Sequence, residues 1–325
     1  MFRPSPVRDP ASRSRHQIKK TFFWALAGVA AIGAVPFATT ATDPAPVYSR
    51  ATSSSAIALS LDNRLLFSVN PDDDSVSVIR TDTNRQIARI KVGKEPQGIA
   101  VDPATRYAYT ANAAGNSASV IEITNANPDS FRARVVDHIT TGAEPWNVVV
   151  SPDGRRVFVA NSGQDSISII DNSRQRLLGN VDLRRSDCNL PGLERRFQPR
   201  GLAVSADNTK LYVTSFFAMV KSGGVQADDL GREATLCRMD INTASADPRH
   251  YLPVKAIRMA AQNTGFAVDK SGDGVADATF AFPNQLQSVV IRGDVAYLPN
   301  IAASPTGPVR FNTSTQAFVN LVRGV

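Results

Sequence analysis

One unit of strand, tight turn and strand recurs along the chain, and this repeat limits the fold more than any other feature of the sequence. Its clearest copy has the turn Ser151-Pro152-Asp153-Gly154 between two apolar runs, 148–150 and 156–161. Pro fixes φ at the second turn position and Gly relaxes the fourth, which favours a type I turn. Apolar and polar residues alternate around the turn, as in strands that bury one face.

Five copies of the unit align. The first strand of each copy is short and apolar and begins at Ile57, Ile99, Val148, Leu202 and, in the fifth copy, Ser288. The second strand ends on Asn or Ser, at Asn70, Asn112, Asn161, Ser215 and Asn300. A third strand follows at 75–79, 117–121, 166–170 and 236–241, and a fourth at 87–92 and 135–139. We expect the closing Asn residues to be structural, because an Asn side chain bonds backbone groups in turns.

Four short strands in a period of roughly 40–50 residues are typical of a β-propeller blade. A blade cannot bury both faces alone, so blades stack around a channel. The sequence therefore predicts an all-β propeller of four-stranded blades with five blades visible. Either five blades close the ring, or the ring is incomplete or truncated, and the short fifth copy favours the second alternative.

The N-terminal segment, residues 1–41, is predicted to be a secretory signal peptide. It has a basic start, an apolar run from Phe22 to Val35 and small residues up to Ala41, after which we expect cleavage. The alternative is an uncleaved membrane anchor, and we expect the protein to associate with a membrane only in that case. Residues 42–54 are predicted as a linker and 55–325 as the propeller, in the periplasm or secreted from a bacterium.

Net charge argues against a nucleic-acid-binding protein. The formal charge is +7, but much of it lies in the leader. The leader carries six basic residues against one acidic residue: Arg3, Arg8, Arg13, Arg15, Lys19 and Lys20 against Asp9. A nucleic-acid footprint would need a basic face on the folded domain.

The repeat resembles that of a known family. The segments Tyr109-Thr110-Ala111-Asn112 and Tyr212-Val213-Thr214-Ser215 resemble the YVTN-type β-propeller repeats of secreted bacterial and archaeal proteins. The resemblance implies the fold over residues 50–300. Its members bind proteins or surfaces, act as lactonases, or form the large subunit of amine dehydrogenases. Residues 298–305 resemble longer propellers that continue into a c-type haem domain, although the chain has no Cys-x-x-Cys-His motif.

Two insertions interrupt the period, at 184–200 and 216–235. Cys188 and Cys237, the only cysteines, lie in or beside them. In an exported protein they are candidates for a disulfide, and two buried free thiols are the alternative. The first insertion also carries the pairs Arg184-Arg185 and Arg195-Arg196, which favour a solvated face over an anion site.

A ligand face is predicted at the channel mouth, where each outer strand connects to the next inner strand. Three of these connections share a Pro, and the residue after it varies: Gln97, Trp146 and Arg200. Aromatic and Arg side chains make strong binding contacts. Packing of Trp146 between blades is an equally good interpretation.

The loop 269–277 has the spacing of a calcium-binding loop. Oxygen-bearing side chains fall at Asp269, Ser271, Asp273 and Asp277, with a Gly at the sixth position. Phe280 stands where an EF-hand has its bidentate Glu. The sequence therefore suggests a weak Ca²⁺ site, with a polar turn as the alternative.

Three functions remain open. The first is a non-catalytic exported propeller that binds a protein or cell-surface ligand at the channel mouth. The second is an electron-transfer or dehydrogenase component whose redox centre lies elsewhere, with a c-type cytochrome as partner. The third is a lactonase-type hydrolase with a divalent metal in the channel, for which Glu95 and Glu144 are the chief inward carboxylates. His138 and His250 suggest no catalytic constellation, so the first function is preferred.

Overall fold

A computed structural model of the chain describes residues 44–184, 186, 188, 197–306 and 314–325. These residues form successive antiparallel sheets arranged like propeller blades in a ring that is not closed. The predicted fold class is thereby confirmed. The predicted signal peptide lies outside the described residues. Among the residues that are described, no helix is long and apolar enough to cross a bilayer.

The first three blades each contain four consecutive strands joined by tight turns. A short strand, β1 (Thr52–Ser53), precedes them. Blade 1 consists of β2 (Ile57–Leu59), β3 (Leu65–Asn70), β4 (Ser75–Arg80) and β5 (Arg85–Lys91). Blade 2 consists of β6 (Pro96–Val101), β7 (Tyr107–Asn112), β8 (Ser117–Asn125) and β9 (Arg132–Thr140). Blade 3 consists of β10 (Pro145–Val150), β11 (Arg156–Asn161), β12 (Ser166–Asp171) and β13 (Arg176–Asp182).

Blade 4 carries extra strands. It consists of β14 (Pro199–Val204), β15 (Lys210–Ser215), β16 (Met219–Val220), β17 (Arg232–Asp240) and β18 (Leu252–Ala260). Its third main strand was predicted to begin at Leu236, but β17 begins at Arg232. The strand is longer because β16, from the second insertion, pairs with its first residues. Two short 3₁₀ helices, Pro71–Asp73 and Pro248–His250, lie in connections.

The C-terminal part comprises a hairpin and blade 5. The hairpin consists of β19 (Gln262–Val268) and β20 (Asp277–Ala281), and blade 5 of β21 (Val290–Arg292), β22 (Val295–Ala303) and β23 (Thr315–Arg323). The predicted second strand of the fifth copy lies within β22. The first strand, β21, begins at Val290 rather than at the predicted Ser288.

The hydrophobic core lies between neighbouring blades. Phe158 of blade 3 packs in one cluster with Leu202 and Val213 of blade 4, and Phe67 of blade 1 packs with Ile121 of blade 2. Every residue of β11 and β12 is buried. The prediction of one buried face per strand was therefore wrong for blade 3, because blades stack on both of its sides.

In blades 1 to 3 the Asn that closes the second strand bonds serine hydroxyls, whereas Asn300 of blade 5 donates to the backbone carbonyl of Leu298 at 2.9 Å. Asn161 Nδ2 donates to Ser166 Oγ at 3.0 Å and to Ser168 Oγ at 2.9 Å. Asn112 makes the same pair of bonds in blade 2. The alternating serines of the third strand supply these acceptors, which accounts for the repetition of both motifs.

Candidate binding site at the channel mouth

The connections into the inner strands share an unusual backbone conformation. The residue before the inner strand or segment has a left-handed φ in four blades: Glu95 at 56°, Glu144 at 52°, Gln198 at 49° and Gln285 at 51°. Such φ values are uncommon for residues other than Gly and persist only where surrounding contacts hold them.

A side chain from the preceding blade holds this conformation in three of the four cases. The backbone N–H of Glu144 donates to Asn116 Oδ1 at 2.9 Å. The equivalent bonds join Glu95 N to Asp74 Oδ1 and Gln198 N to Asp165 Oδ1, each at 2.8 Å. These three connections are thus hydrogen-bonded to the blade before them. The backbone that carries the following side chains is therefore held in place.

The structure brings two of the three predicted face residues together. The Arg200 guanidinium carbon lies 3.3 Å from the ring centroid of Trp146. Gln97 instead donates from Nε2 to Glu95 Oε1 at 3.3 Å within its own connection. Trp146 therefore contacts a side chain of the next blade. The Arg200 guanidinium stacks on the face of its ring.

Two further side chains complete this arrangement, which we call the mouth cluster: Glu144, Trp146, Arg200 and Phe216. The Phe216 ring centroid lies 4.6 Å from the Arg200 guanidinium carbon. Arg200 Nη2 lies 3.8 Å from Glu144 Oε1. A cation over aromatic faces is stabilised by the ring quadrupoles, and more strongly when it is desolvated.

Arg200 is buried, and its polar atoms are incompletely satisfied. Its side chain is 9 % exposed, whereas that of Glu144 is 49 % exposed. Nε and Nη1 of Arg200 have no hydrogen-bond partner in the described part of the chain. Burial lowers the pKa of Arg200 to about 10, and the Glu144 carboxylate partly opposes this shift. Arg200 therefore keeps its charge at neutral pH.

Buried polar groups without partners are rare in folded proteins and call for an explanation. A guanidinium presents five donors in a fixed planar fork that matches a carboxylate. The mouth cluster therefore combines a preoriented cation, a partly exposed carboxylate and aromatic surface. This combination suits recognition of an anionic or carbonyl-bearing group.

Sequence reasoning missed two residues at this face. In the sequence, Phe216 marks only the start of the second insertion. Gln287 follows the left-handed Gln285 of the fifth copy and so corresponds to Arg200, but Leu286 replaces the Pro that marked the other connections. A search for the Glx residue rather than for the Pro would have found this position.

Cys188 and Cys237 form a disulfide, the first of the two predicted alternatives. Cys188 and Cys237 are both fully buried, with Cα atoms 5.2 Å apart. The bond ties the first insertion to β17. Of the two arginine pairs in that insertion, only Arg184 is described, and it pairs with Asp182 at 2.9 Å. A disulfide is consistent with a location outside the cytoplasm.

The Asp-rich loop joins β19 and β20. Asp269 accepts backbone N–H bonds from Gly272 and Gly274, at 2.6 and 2.9 Å. Asp273 accepts one from the Val275 N–H at 2.8 Å. The described residues contain no group of three or more His, Cys, Asp or Glu side chains arranged around a common metal position. Calcium binding by this loop stays a prediction.

His138 and His250 both contact serine hydroxyls. His138 Nδ1 lies 3.0 Å from Ser119 Oγ, within blade 2. His250 Nδ1 lies 2.7 Å from Ser245 Oγ. Ser119 also receives the second bond from Asn112, so the His138 contact extends the structural serine network.

Comparison with known proteins defines the class as a β-propeller. The description of the matching family is lactonase, seven-bladed β-propeller, and the match covers residues 30–215. The chain belongs to this family. No curated protein matches it.

Two solved structures illustrate the likeness. Hydrazine synthase of Kuenenia stuttgartiensis is 19 % identical with a TM-score of 0.55, and the match covers 90 % of this chain and 66 % of that one. A functionally unknown protein from Desulfotomaculum acetoxidans is 16 % identical with a TM-score of 0.50, covering 84 % and 76 %. At these identities the likeness shows the fold alone. The present chain spans just under two thirds of the hydrazine synthase chain.

Proposed function

We propose that this chain is an exported, non-catalytic propeller of YVTN type that binds a carboxylate-bearing protein or cell-surface ligand at the mouth cluster. The observation that carries the proposal is Arg200, a buried cation on the Trp146 ring with two unpartnered donors. A ligand carboxylate would approach from the side of Glu144, the exposed member of the cluster, and take up the guanidinium donors. Charge-assisted bonds of this kind are among the strongest that a surface offers.

The test uses immobilised poly-L-glutamate as the probe and the purified full chain as the analyte. Arg200→Met should weaken binding by about tenfold or more, because hydrogen bonds to charged groups contribute about 1.5–3 kcal/mol. Arg200→Lys keeps the positive charge but lacks the planar set of guanidinium donors. Its affinity should therefore lie between those of the wild type and of Arg200→Met. Arg292→Met, at an exposed arginine of blade 5, is the matched control for loss of one charge. Equal affinities of the Arg200→Met and Arg292→Met variants would refute the proposal.

A lactonase activity is the second candidate, and the family match favours it. The mouth cluster offers a carboxylate, Glu144, that can take a proton from water as it attacks the lactone carbonyl. Arg200 can stabilise the negative charge that develops on the carbonyl oxygen. Collapse of the adduct would break the ring C–O bond, and the proton held by Glu144 would pass to the leaving alkoxide, which gives the open-chain hydroxy acid.

This candidate is tested by titrating acid release from γ- and δ-lactones at constant pH. The wild type should exceed the uncatalysed rate, and Glu144→Gln and Arg200→Met should each lose at least about a hundredfold of that excess. Arg292→Met should keep it. A wild-type rate no faster than the buffer reaction would remove the lactonase candidate and leave the binding proposal intact. The electron-transfer alternative rests on the sequence resemblance alone.

Calcium binding at the loop between β19 and β20 is a separate proposal, supported by its ligand spacing. Millimolar calcium should raise the melting temperature relative to a chelator, as ligands of the folded state do. Asp277→Asn, which alters a proposed ligand, should abolish the shift. An unchanged melting temperature in the wild type would refute the site.

A further inference from the structure

The segment that precedes blade 1 crosses the inner strands of three blades. We call residues 48–55 the strap. The Tyr48 hydroxyl donates to Val101 O of β6 at 2.8 Å, and Thr52 Oγ1 donates to Val150 O of β10 at 2.7 Å. Tyr48 N donates to Pro152 O, just after β10, at 2.8 Å. The strap therefore uses backbone carbonyls that the blades themselves leave free at their inner edge.

The strap also adds a strand to blade 4. Thr52 and Ser53, which form β1, pair antiparallel with Val204 and Ala203 of β14. Just beyond them, Ser54 N donates to Leu202 O at 2.8 Å, and Leu202 N donates back to Ser54 Oγ at 2.9 Å. Addition of an extended segment to a free strand edge is a recurrent mode of peptide recognition.

Three hydroxyl side chains of the strap bond the inner strands. The hydroxyls that bond the inner strands belong to Tyr48, Thr52 and Ser54, all at even positions. Successive side chains of a strand point to opposite sides, so even positions share one side. The inner strands thus bind both the main chain of the strap and the hydroxyl groups at positions 48, 52 and 54.

The strap is held firmly at its C-terminal end, where Ser54 is buried and the Ile99 N–H donates to Ser55 O at 2.9 Å, and less firmly at its N-terminal end. Only two of its residues lie in a strand, and Ser49 and Arg50 are exposed. A cavity of about 770 Å³ lies beside it, lined in part by Arg50, Ile57 and Val290. Ile57 is 52 % exposed despite its place in an inner strand. A segment with few buried apolar contacts opens at low cost compared with global unfolding.

From these contacts we infer that the inner edge of β14, with the end carbonyls of β6 and β10, is a binding site for an extended polypeptide. The partner segment carries hydroxyl side chains at the positions equivalent to Tyr48, Thr52 and Ser54, and the strap occupies the site in cis. Arg200 lies near the start of β14, whereas Thr52 pairs at its far end with Val204. The bonds to the strap begin at Leu202, two residues after Arg200, so the site does not include Arg200, and the inference does not rest on the ligand proposed for the mouth cluster.

The test uses full chains and a fluorescent peptide of residues 44–56. Ser54→Pro removes both the N–H and the hydroxyl that bond Leu202, so it should release the strap and expose the site. Ser49→Pro is the matched control, at an exposed position of the same segment. The peptide should bind the Ser54→Pro chain at least about tenfold more tightly than either the control or the wild type. Equal affinity for all three proteins would overturn the inference.

Changes in the peptide test its recognition. Replacement of Tyr48 by Phe and of Thr52 by Val in the peptide removes the two hydroxyl bonds and should weaken binding by about tenfold. A peptide with both changes that binds as well as the original would overturn the inference.

Hydrogen exchange on the wild type keeps the test decisive if Ser54→Pro does not fold. The amide protons of Tyr48 and Ser54 are hydrogen-bonded in the strap. Excess unlabelled peptide should displace the strap and speed their exchange, while amides of the buried strand β11 stay protected. Unchanged exchange of the strap amides at millimolar peptide would overturn the inference.

Discussion

Asn112 and Asn161 occupy the same position in neighbouring blades, and each side-chain amide donates to two serine hydroxyls of the next strand. Both residues are fully buried. A buried amide that loses its partners carries a desolvation cost, so the Asn and the serines must occur together. The repeat of the sequence is thus a repeat of one hydrogen-bonded layer.

Asn161→Ala should therefore lower the free energy of unfolding by about 1–3 kcal/mol, because two serine hydroxyls lose a buried donor. Asn70 makes the same two bonds in blade 1 but is only half-buried, so Asn70→Ala is the matched comparison and should cost less. Urea denaturation of the two variants measures both values. Equal losses would show that burial of the Asn side chain does not determine how much these hydrogen bonds stabilise the protein.

Asp171 gives the chain a source of acid sensitivity. Its carboxylate is buried beside Arg156 and accepts bonds from Ser173. Burial alone would raise the pKa of Asp171, but the Ser173 bonds and the Arg156 charge outweigh it and hold the pKa below its usual range. The stabilisation is therefore complete above the unfolded-state pKa of about 3.9 and is lost as the pH falls through the lower folded-state value.

Asp171→Asn should reduce the loss of stability between about pH 5 and about pH 2, because this group no longer takes up a proton on unfolding. It should also destabilise the protein at neutral pH, where Arg156 loses its counter-charge. Denaturant unfolding at stepped pH measures both effects. Asp294→Asn, an exposed aspartate in blade 5, is the control, and the same pH profile in both variants would contradict this account.

At the scale of elements, the disulfide fixes an insertion to a blade. Cys188 and Cys237 are 49 residues apart in sequence. Closing a loop of this length restricts the unfolded chain, and disulfides of this kind typically stabilise by about 2–4 kcal/mol. The Cys188→Ala/Cys237→Ala double variant should lose about that much stability. Its melting temperature should not respond to a reducing agent, whereas that of the wild type should fall; a wild type insensitive to full reduction would contradict the prediction.

Local patterns predict the elements well where a single blade determines them. The first three strands of blades 1 to 3 follow from alternation and turn residues, and Gly154 N indeed donates to Ser151 O in the predicted turn, whereas β13 (Arg176–Asp182) was not predicted. The start of β17 at Arg232 could not be predicted, because it depends on pairing with β16. The strap could not be predicted either. Its residues 48–54 lie in the segment predicted as a linker, and only the free inner edges of distant blades give it structure.

Local sequence determines the mouth cluster only in part. Trp146 and Arg200, which the Pro pattern of the connections placed on one face, contact each other in the structure. Their stacking, and the addition of Phe216, depend on the close approach of blades 3 and 4, which no local pattern encodes. The sequence pattern therefore pointed to two residues that contact each other, whereas their geometry depends on tertiary packing; their role in ligand binding stays a prediction.

At the scale of the molecule, one sheet face is exposed to solvent among the residues that the structure describes. Blade 5 exposes apolar side chains at alternate positions of β22 and β23: Tyr297 at 37 %, Ile301 at 48 %, Val319 at 59 % and Leu321 at 51 %. Tyr297 and Leu321 are direct cross-strand neighbours. In blade 3, by comparison, the strands β11 and β12 are buried on both faces. The open ring thus ends on a face of the kind that inner blades cover.

Val319→Lys tests whether this face is uncovered in the folded chain. If it is, the charged side chain stays in water and the free energy of unfolding should change by no more than about 0.5 kcal/mol. Val159→Ala, in the fully buried β11, should cost about 2 kcal/mol because it leaves a cavity between blades. Denaturant unfolding of both variants at low protein concentration measures the contrast. A loss for Val319→Lys as large as that for Val159→Ala would mean that the fifth blade is covered, since only a buried face penalises a lysine so strongly.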